Sequence, residues 1–208
     1  MNRCVIIGGA EINDYEYINK YLNKDDFCIF CDSGLRHLNK LSAKADLIVG
    51  DFDSHINPHL NVETIVLPCE KDDTDTVFAI KEGVKRGFDR FLLIGVVGGR
   101  FDHTFCNISA LLMLDALNKS AVIVDDFSEM ETVSEKTVFI EDSCKYFSLL
   151  NINGKAKGIH IENAKYNLEN AEITSEYQYG VSNEVIPGQR AKVYVNEGKL
   201  LLVKVFRE

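Results

Sequence analysis

Proline is scarce in this chain, 3 in 208 residues, and no low-complexity tract interrupts it. A disordered chain is therefore not the default expectation. A basic surplus is also lacking. The net charge is −9, which argues against a nucleic-acid duplex as partner, because phosphate backbones are held by excess Lys and Arg. An acidic protein can still take a nucleotide if a cation mediates. Long hydrophobic runs are missing as well. The longest, "FLLIGVVGG", falls short of the ~18 residues a membrane span needs. The stretch "MNRCVIIGGAEIND" carries no small-residue cleavage pattern and reads as a β-strand, not a signal peptide. Neither G-x-x-x-x-G-K-[ST] nor G-x-G-x-x-G occurs, so a P-loop and a dinucleotide fingerprint are both excluded.

What is present is enough for a core: 46% hydrophobic and 26% charged residues, ordinary for a globular protein of one large domain or a medium and a small one. The six cysteines lie in apolar segments. Cys28 and Cys31 form a C-x-x-C on an expected strand, where positions three apart face opposite sides of the sheet. They read as reduced core thiols of a cytoplasmic protein, not as a redox pair or zinc site.

Through residue 126 the chain alternates β-rich runs with helical patterns. "CVIIGG", "FCIFCD", "DLIVGD", "ETIVLP", "FLLIGVVGG" and "AVIVDD" are mostly continuous apolar runs. Strands covered on both faces look like this, which predicts an α/β domain over 1–126 with a Rossmann-like, mostly parallel sheet flanked by helices. "DSGLRHLNKL" and "TDTVFAIKEGVKRG" carry helical spacing, the second ending at Gly87. "DHTFCNISALLMLDAL" is apolar nearly all round and predicts a buried helix. From 127 to 208 the segments turn short and β-branched or aromatic: "TVFI", "KYFSLLNI", "GIHIENA", "AEITSEY", "AKVYVN" and "KLLLVKVF". These predict a small all-β domain, a sandwich or partly open barrel. "YGVSNEV" reads there as a loop.

In an open α/β sheet, ligands bind beyond the carboxyl ends of the strands. Acids gather at those ends: Asp32 after "FCIFC", Asp51 and Asp53 after "DLIV", Asp72, Asp73 and Asp75 after "TIVLP", and Asp102 after "GVVGGRF". Like charges about 4 Å apart repel by roughly 4 kcal/mol at an effective dielectric near 20. A hard divalent cation with oxygen ligands is the economical compensation, and Mg²⁺ commonly combines one or two carboxylates with substrate phosphates. Taken singly, Asp32, Asp72 and Asp73 also fit as helix N-caps. In "GVVGGRFDHT", Gly98 and Gly99 allow a sharp turn with amides facing phosphate, and Arg100 suits bidentate phosphate contact. Asp102 is placed to cap the following helix, with His103 in its first turn.

"DSGLRHL", "ADLIVGDFDS", "EKDDTDTVFAI", "GGRFDHTFCNISALL", "YNLEN" and "GVSNEV", in this order, resemble the thiamine pyrophosphokinase family along nearly the whole chain. The resemblance implies a nucleotide-binding α/β domain and a thiamine-binding β-sandwich, working as a homodimer near whose interface the site lies. It implies a Mg²⁺-dependent transfer of pyrophosphate from ATP to the hydroxyethyl oxygen of thiamine, releasing AMP. Asp51, Asp53 and Asp75 then correspond to metal ligands, and Asp72 and Asp102 join them as catalytic acids, with Asp73 at a variable position. ATP contacts fall on Asp32, Ser33, Lys71, Thr74, Arg100 and His103. Thiamine contacts fall on Ser182, Asn183 and Tyr179. Some members present a tryptophan to the thiamine rings; this chain has none, which leaves stacking open to Tyr177 or Tyr179.

Phosphoryl-type transfer relies on placement and electrostatics, so no strong base is demanded. If a carboxylate takes the proton, Asp102 and Asp72 are both placed for it. A metal-dependent phosphohydrolase and a non-catalytic nucleotide or thiamine sensor are the rival readings. Phosphate release without thiamine marks the first, and binding without AMP formation marks the second. No nucleic-acid or membrane partner is expected.

Overall fold

Each apolar run in the N-terminal part is a β-strand in the computed structural model, which describes residues 3–52, 60–70 and 72–207. The chain packs as two units, Met1–Asp126 and Phe127–Glu208. In the first, β1 (Cys4–Ile7), β2 (Phe27–Cys31), β3 (Leu47–Gly50), β4 (Glu63–Val66), β5 (Arg90–Ile94) and β6 (Ser120–Val124) lie in the order β6-β5-β1-β2-β3-β4. Every pairing among them is parallel. β1 and β3 are wholly buried, as continuous apolar runs demand. β4, at the edge, exposes Glu63 and Val66.

Parallel pairing brings all six carboxyl ends to one edge. The chain leaves β1 towards β2 on one side and leaves β5 towards β6 on the other, so the strand order reverses between β1 and β5. Such a reversal opens a crevice at the carboxyl edge. Three α-helices lie among its described residues: α1 (Tyr15–Asn19), α2 (Asp75–Lys85) and α3 (Phe101–Ala116). α2 starts at Thr74, whose hydroxyl accepts from Val77 N at 3.2 Å, and stops before Gly87 at φ 87°. It packs over β1, β2 and β3, while α3 packs on β6.

Several expectations need correction. "DSGLRHLNKL" forms only a five-residue 3₁₀ helix, Ser33–His37, and Asp32 makes no side-chain capping bond to it. α3 is half-buried: Asn107, Ala110, Leu111 and Leu114 face inward, whereas Phe101 is 78% exposed and Phe105 is exposed too. Its N-cap is Arg100, not Asp102. All six cysteines are free thiols, but only Cys4, Cys28, Cys31 and Cys144 are buried; Cys69 is exposed and Cys106 intermediate. Burial pushes the Cys28 thiol up to about 12 and that of Cys144 to about 11.

The second unit is all β, with no helix among its described residues. β7 (Ser128–Val133), β9 (Tyr146–Leu150), β12 (Gly180–Asn183) and β14 (Leu200–Val205) run in the order β12-β9-β14-β7. β8 (Val138–Glu141), β10 (Lys155–Glu162), β11 (Leu168–Thr174) and β13 (Arg190–Glu197) form a second sheet, β11-β10-β13-β8. All these pairings are antiparallel. One core joins Phe147, Leu149, Leu200 and Leu202 to Ile159, Ile161, Ile173, Val193 and Val195 of the second sheet. "GVSN", expected as a loop, is strand β12, irregularly paired with β9.

Candidate active site

Asp32 follows β2, Asp51 follows β3, and Asp75 opens α2 after β4. One carboxylate oxygen from each lies within 4.8 Å of the other two. Asp32 is only 2% exposed, and Asp51 and Asp75 are half-buried. The close approach depends on Gly50, since a Cβ at that position would stand 2.4 Å from the Cβ of Asp32. The next turn is held in an unusual backbone state. Phe52, between Asp51 and Asp53, sits at φ 56°, a left-handed conformation costing a non-glycine residue on the order of 1 kcal/mol.

Three anionic oxygens this close repel one another, and the positive end of α2 beside Asp75 offsets that only in part. Among the described residues the donor set is oxygen alone, which suits a hard cation of the Mg²⁺, Mn²⁺ or Ca²⁺ type. Oxygens around an octahedral Mg²⁺ with bonds of about 2.1 Å are at most about 4.2 Å apart, so small side-chain rotations close this group on one ion. The three residues fit such an ion. Asp32, assigned from sequence to nucleotide contact, is thus part of the carboxylate group.

The other sequence-derived residues divide. Asp53 and Lys71 lie outside the described residues. Asp72 is exposed, and Asp73 is drawn along α2 into an ion pair with Lys81 at 2.6 Å. Thr74 spends its hydroxyl on the α2 cap, and Ser33 packs against Gly9. Arg100 and Asp102 hold each other through two hydrogen bonds, Nε to Oδ1 at 3.1 Å and Nη2 to Oδ2 at 2.5 Å. The guanidinium bond, helped by the His103 amide, holds the Asp102 carboxyl down to about 2. Gly98 and Gly99 both adopt positive φ, 108° and 66°, and form the turn ahead of α3. His103 is exposed in the first turn.

In the second unit, Asn183 is buried and its side-chain amide bonds on both sides. Oδ1 accepts from Tyr166 N at 3.0 Å and Glu184 N at 2.9 Å, while Nδ2 donates to Tyr166 O at 2.7 Å. Its neighbour Ser182 is exposed at φ 55°, with its amide donating to Ser148 Oγ at 3.0 Å. Tyr177 and Tyr179 are both exposed, their ring centroids 5.4 Å apart, and the Tyr179 hydroxyl donates to Glu172 O at 2.7 Å. Sequence patterns gave no sign of His37 or Asp126. Both are buried and hydrogen-bonded to the β1–α1 loop.

Fold and site together define an α/β protein with three clustered carboxylates at the carboxyl edge of a parallel sheet. The chain belongs to the thiamin pyrophosphokinase family and is an enzyme of the transferase class. Residues 18–124 match the family model for "Thiamin pyrophosphokinase, catalytic domain", and residues 135–200 match "Thiamin pyrophosphokinase, vitamin B1 binding domain". It is 24% identical to the thiamine pyrophosphokinase of Bacillus subtilis (strain 168), covering 98% of this chain and 99% of that one. It is 23% identical to thiamin pyrophosphokinase 1 of Caenorhabditis elegans, covering 89% and 82%. The crystal structure of thiamine pyrophosphokinase from Bacillus subtilis superposes with a TM-score of 0.85 at 20% identity, over 100% of both chains. No helix among the described residues is long and apolar enough to cross a membrane.

Proposed function

We propose that this chain transfers pyrophosphate from ATP to the hydroxyethyl oxygen of thiamine, giving thiamine diphosphate and AMP, with Mg²⁺ as the required ion. The observation carrying this reading is the Asp32–Asp51–Asp75 group at the carboxyl edge of the sheet, inside the stretch that matches the family's catalytic domain. On this reading the first unit is a Rossmann-like nucleotide domain and the second a β-sandwich that takes thiamine. The protein is cytoplasmic and works as a homodimer.

The three carboxylates would hold the ion, and the family resemblance assigns Asp53 to the same role. When bound there, the cation neutralises the donor phosphates and polarises the phosphorus under attack. The chain itself supplies position. Arg100 meets phosphate oxygens by exchanging its exposed partner Asp102 for them, a cheap exchange because surface ion pairs are worth little. The Gly98 amide is held by Thr104 Oγ1 at 3.0 Å, which leaves the Gly99 amide and the N-terminal turn of α3 to face the same charge. Asp102, held at about 2, is a weak proton acceptor while Arg100 bonds it, and Asp72 is the alternative acceptor. Neither has to be strong, since attack on a metal-bound phosphate depends mainly on alignment and charge. Ser182 and Tyr179 contact thiamine, while Asn183 fixes the loop that carries Tyr166.

Incubation with MgATP and thiamine tests the proposal. AMP and thiamine diphosphate should appear in equal amounts and vanish with EDTA. Inorganic phosphate without thiamine would make the protein a hydrolase, and ligand binding without AMP would make it a sensor.

A further inference from the structure

The short 3₁₀ helix Ser33–His37 hangs directly from Asp32. A five-residue 3₁₀ helix has poor internal hydrogen bonding and does not hold its own position. It is held from outside. Gly34 presses against the end of β1, where a Cβ would stand 2.2 Å from Ile7 O. Beyond that contact, the ring of His37, 1% exposed, reaches the loop between β1 and α1. Nε2 lies 3.0 Å from Ala10 O, and Nδ1 lies 2.8 Å from the Tyr15 hydroxyl. A carbonyl only accepts, so Nε2 carries the hydrogen. Burial lowers the affinity of His37 for a second proton, which leaves Nδ1 to accept from Tyr15. Arg36 adds a bond from Nη1 to Gly9 O at 3.2 Å.

The loop that receives these bonds is itself fixed. Gly8 N donates to Ile94 O at 2.9 Å and Ala10 N to Gly95 O at 2.8 Å, tying it to β5. At its far end the carboxylate of Asp126 accepts from Asn13 N, Asn13 Nδ2 and Asp14 N at 2.8, 3.0 and 3.0 Å. An anchored loop, gripped by one buried ring, thus sets the place of the helix that begins at Asp32. We propose that His37 is a positioning residue for the cation site, holding the carboxylate of Asp32 in register with those of Asp51 and Asp75. The proposal rests on the reading that these three carboxylates hold a divalent ion. Groups hydrogen-bonded directly to a metal ligand typically change metal affinity by about 10- to 100-fold when removed; His37 acts one step further out, through the helix backbone, so its effect falls at the lower end of that range.

The test uses Mn²⁺ alone, titrated into the full chain, with free Mn²⁺ followed by electron paramagnetic resonance below each variant's melting temperature. His37→Leu keeps the volume but strands the Ala10 carbonyl, and should weaken Mn²⁺ binding about tenfold. His37→Gln restores a donor towards Ala10 and should recover most of the loss. Tyr15→Phe removes one hydroxyl without touching the helix and should weaken binding measurably even if His37→Leu fails to fold. A purely structural histidine predicts a lower melting temperature with unchanged Mn²⁺ affinity. That result, His37→Gln as poor as His37→Leu, or unchanged affinity in Tyr15→Phe, would each overturn the proposal. Wild-type protein that binds no Mn²⁺, or binding that survives Asp32→Asn, would instead overturn the carboxylate reading on which it rests.

Discussion

The backbone of Gly50 lies so close to Asp32 that a Cβ on the glycine would stand 2.4 Å from the Cβ of the aspartate. This contact sets the spacing between the ends of β2 and β3, and with it the distance between two of the three clustered acids. Gly50→Ala should therefore displace Asp32 and act on both stability and chemistry. Overpacking of this kind costs about 1–3 kcal/mol. Thermal unfolding should show that loss, and the apparent Mg²⁺ requirement for AMP formation should rise. Unchanged values for both would mean that β3 shifts freely, contrary to the packing described.

Removing charge from the cluster should have the opposite effect on stability. Asp51→Asn relieves repulsion that a cation otherwise offsets. In metal-free buffer its melting temperature should equal or exceed that of the wild type, while turnover falls by orders of magnitude. Saturating Mg²⁺, at 100 times its dissociation constant, should stabilise the wild type by about 2.7 kcal/mol and the variant far less. A variant that unfolds early in EDTA would assign Asp51 a structural role instead.

The Arg100–Asp102 pair gives a titration signature. Asp102 lies below the usual carboxylate range because Arg100 bonds its charged form. A depressed folded value means the pair is intact at neutral pH and is lost only as pH falls through about 2. Carboxyl ¹³C shifts should follow that course, and Arg100→Gln should return Asp102 to the ordinary range near ~3.9. Adding a nucleotide with Mg²⁺ should have the same direction of effect, as phosphate takes over the guanidinium.

Thiol chemistry should follow burial. Cys69 is exposed, whereas Cys28 and Cys144 are buried with raised thiol values. Limited alkylation should label Cys69 first, Cys106 next and the four core thiols only on unfolding, as peptide mass mapping would show. Rapid labelling of Cys28 would contradict the packing of β2.

Arg86 links the end of α2 to the start of β4. It bonds Glu82 at 2.9 Å and Glu63 through both terminal nitrogens, and lies over the Phe27 ring. Arg86→Ala leaves the buried Glu82 with Lys85 as its remaining cation partner. A loss of about 1–3 kcal/mol in urea unfolding is expected, less than for a fully buried pair because Glu63 is solvated.

How far the sequence carried these conclusions depended on whether the deciding contact was local. β1, β2, β3 and β5 were legible because strands packed on both faces are continuously apolar, and the partly exposed β4 and β6 because their runs are β-branched. α3 was read as buried because residues 102–117 are apolar nearly all round, yet Phe105 faces outward, as does Phe101 just ahead of them. β7 went unseen because Glu129 and Glu131 break its pattern. Their charges are matched by Lys204 of β14, at 2.6 and 2.9 Å, a partner far away in the chain. β12 reads as a loop for a similar reason. Its buried Asn183 is satisfied by the backbone of Tyr166, distant in the chain, and by the amide of Glu184. Acids at strand ends were visible in the sequence, but not which of them meet. Asp73 and Asp102 each found a nearby cation, and Asp32 joined the group through the packing of Gly50.

The two neighbours of β1 reach it at different times during synthesis. β2 follows after one short helix, whereas β5, whose Phe91 faces Cys4, arrives only after α2 is complete. On the ribosome, one flank of an entirely apolar strand therefore waits unpaired, an adhesive edge for other nascent chains. Chains truncated before residue 94 should consequently depend on chaperones and precipitate without them.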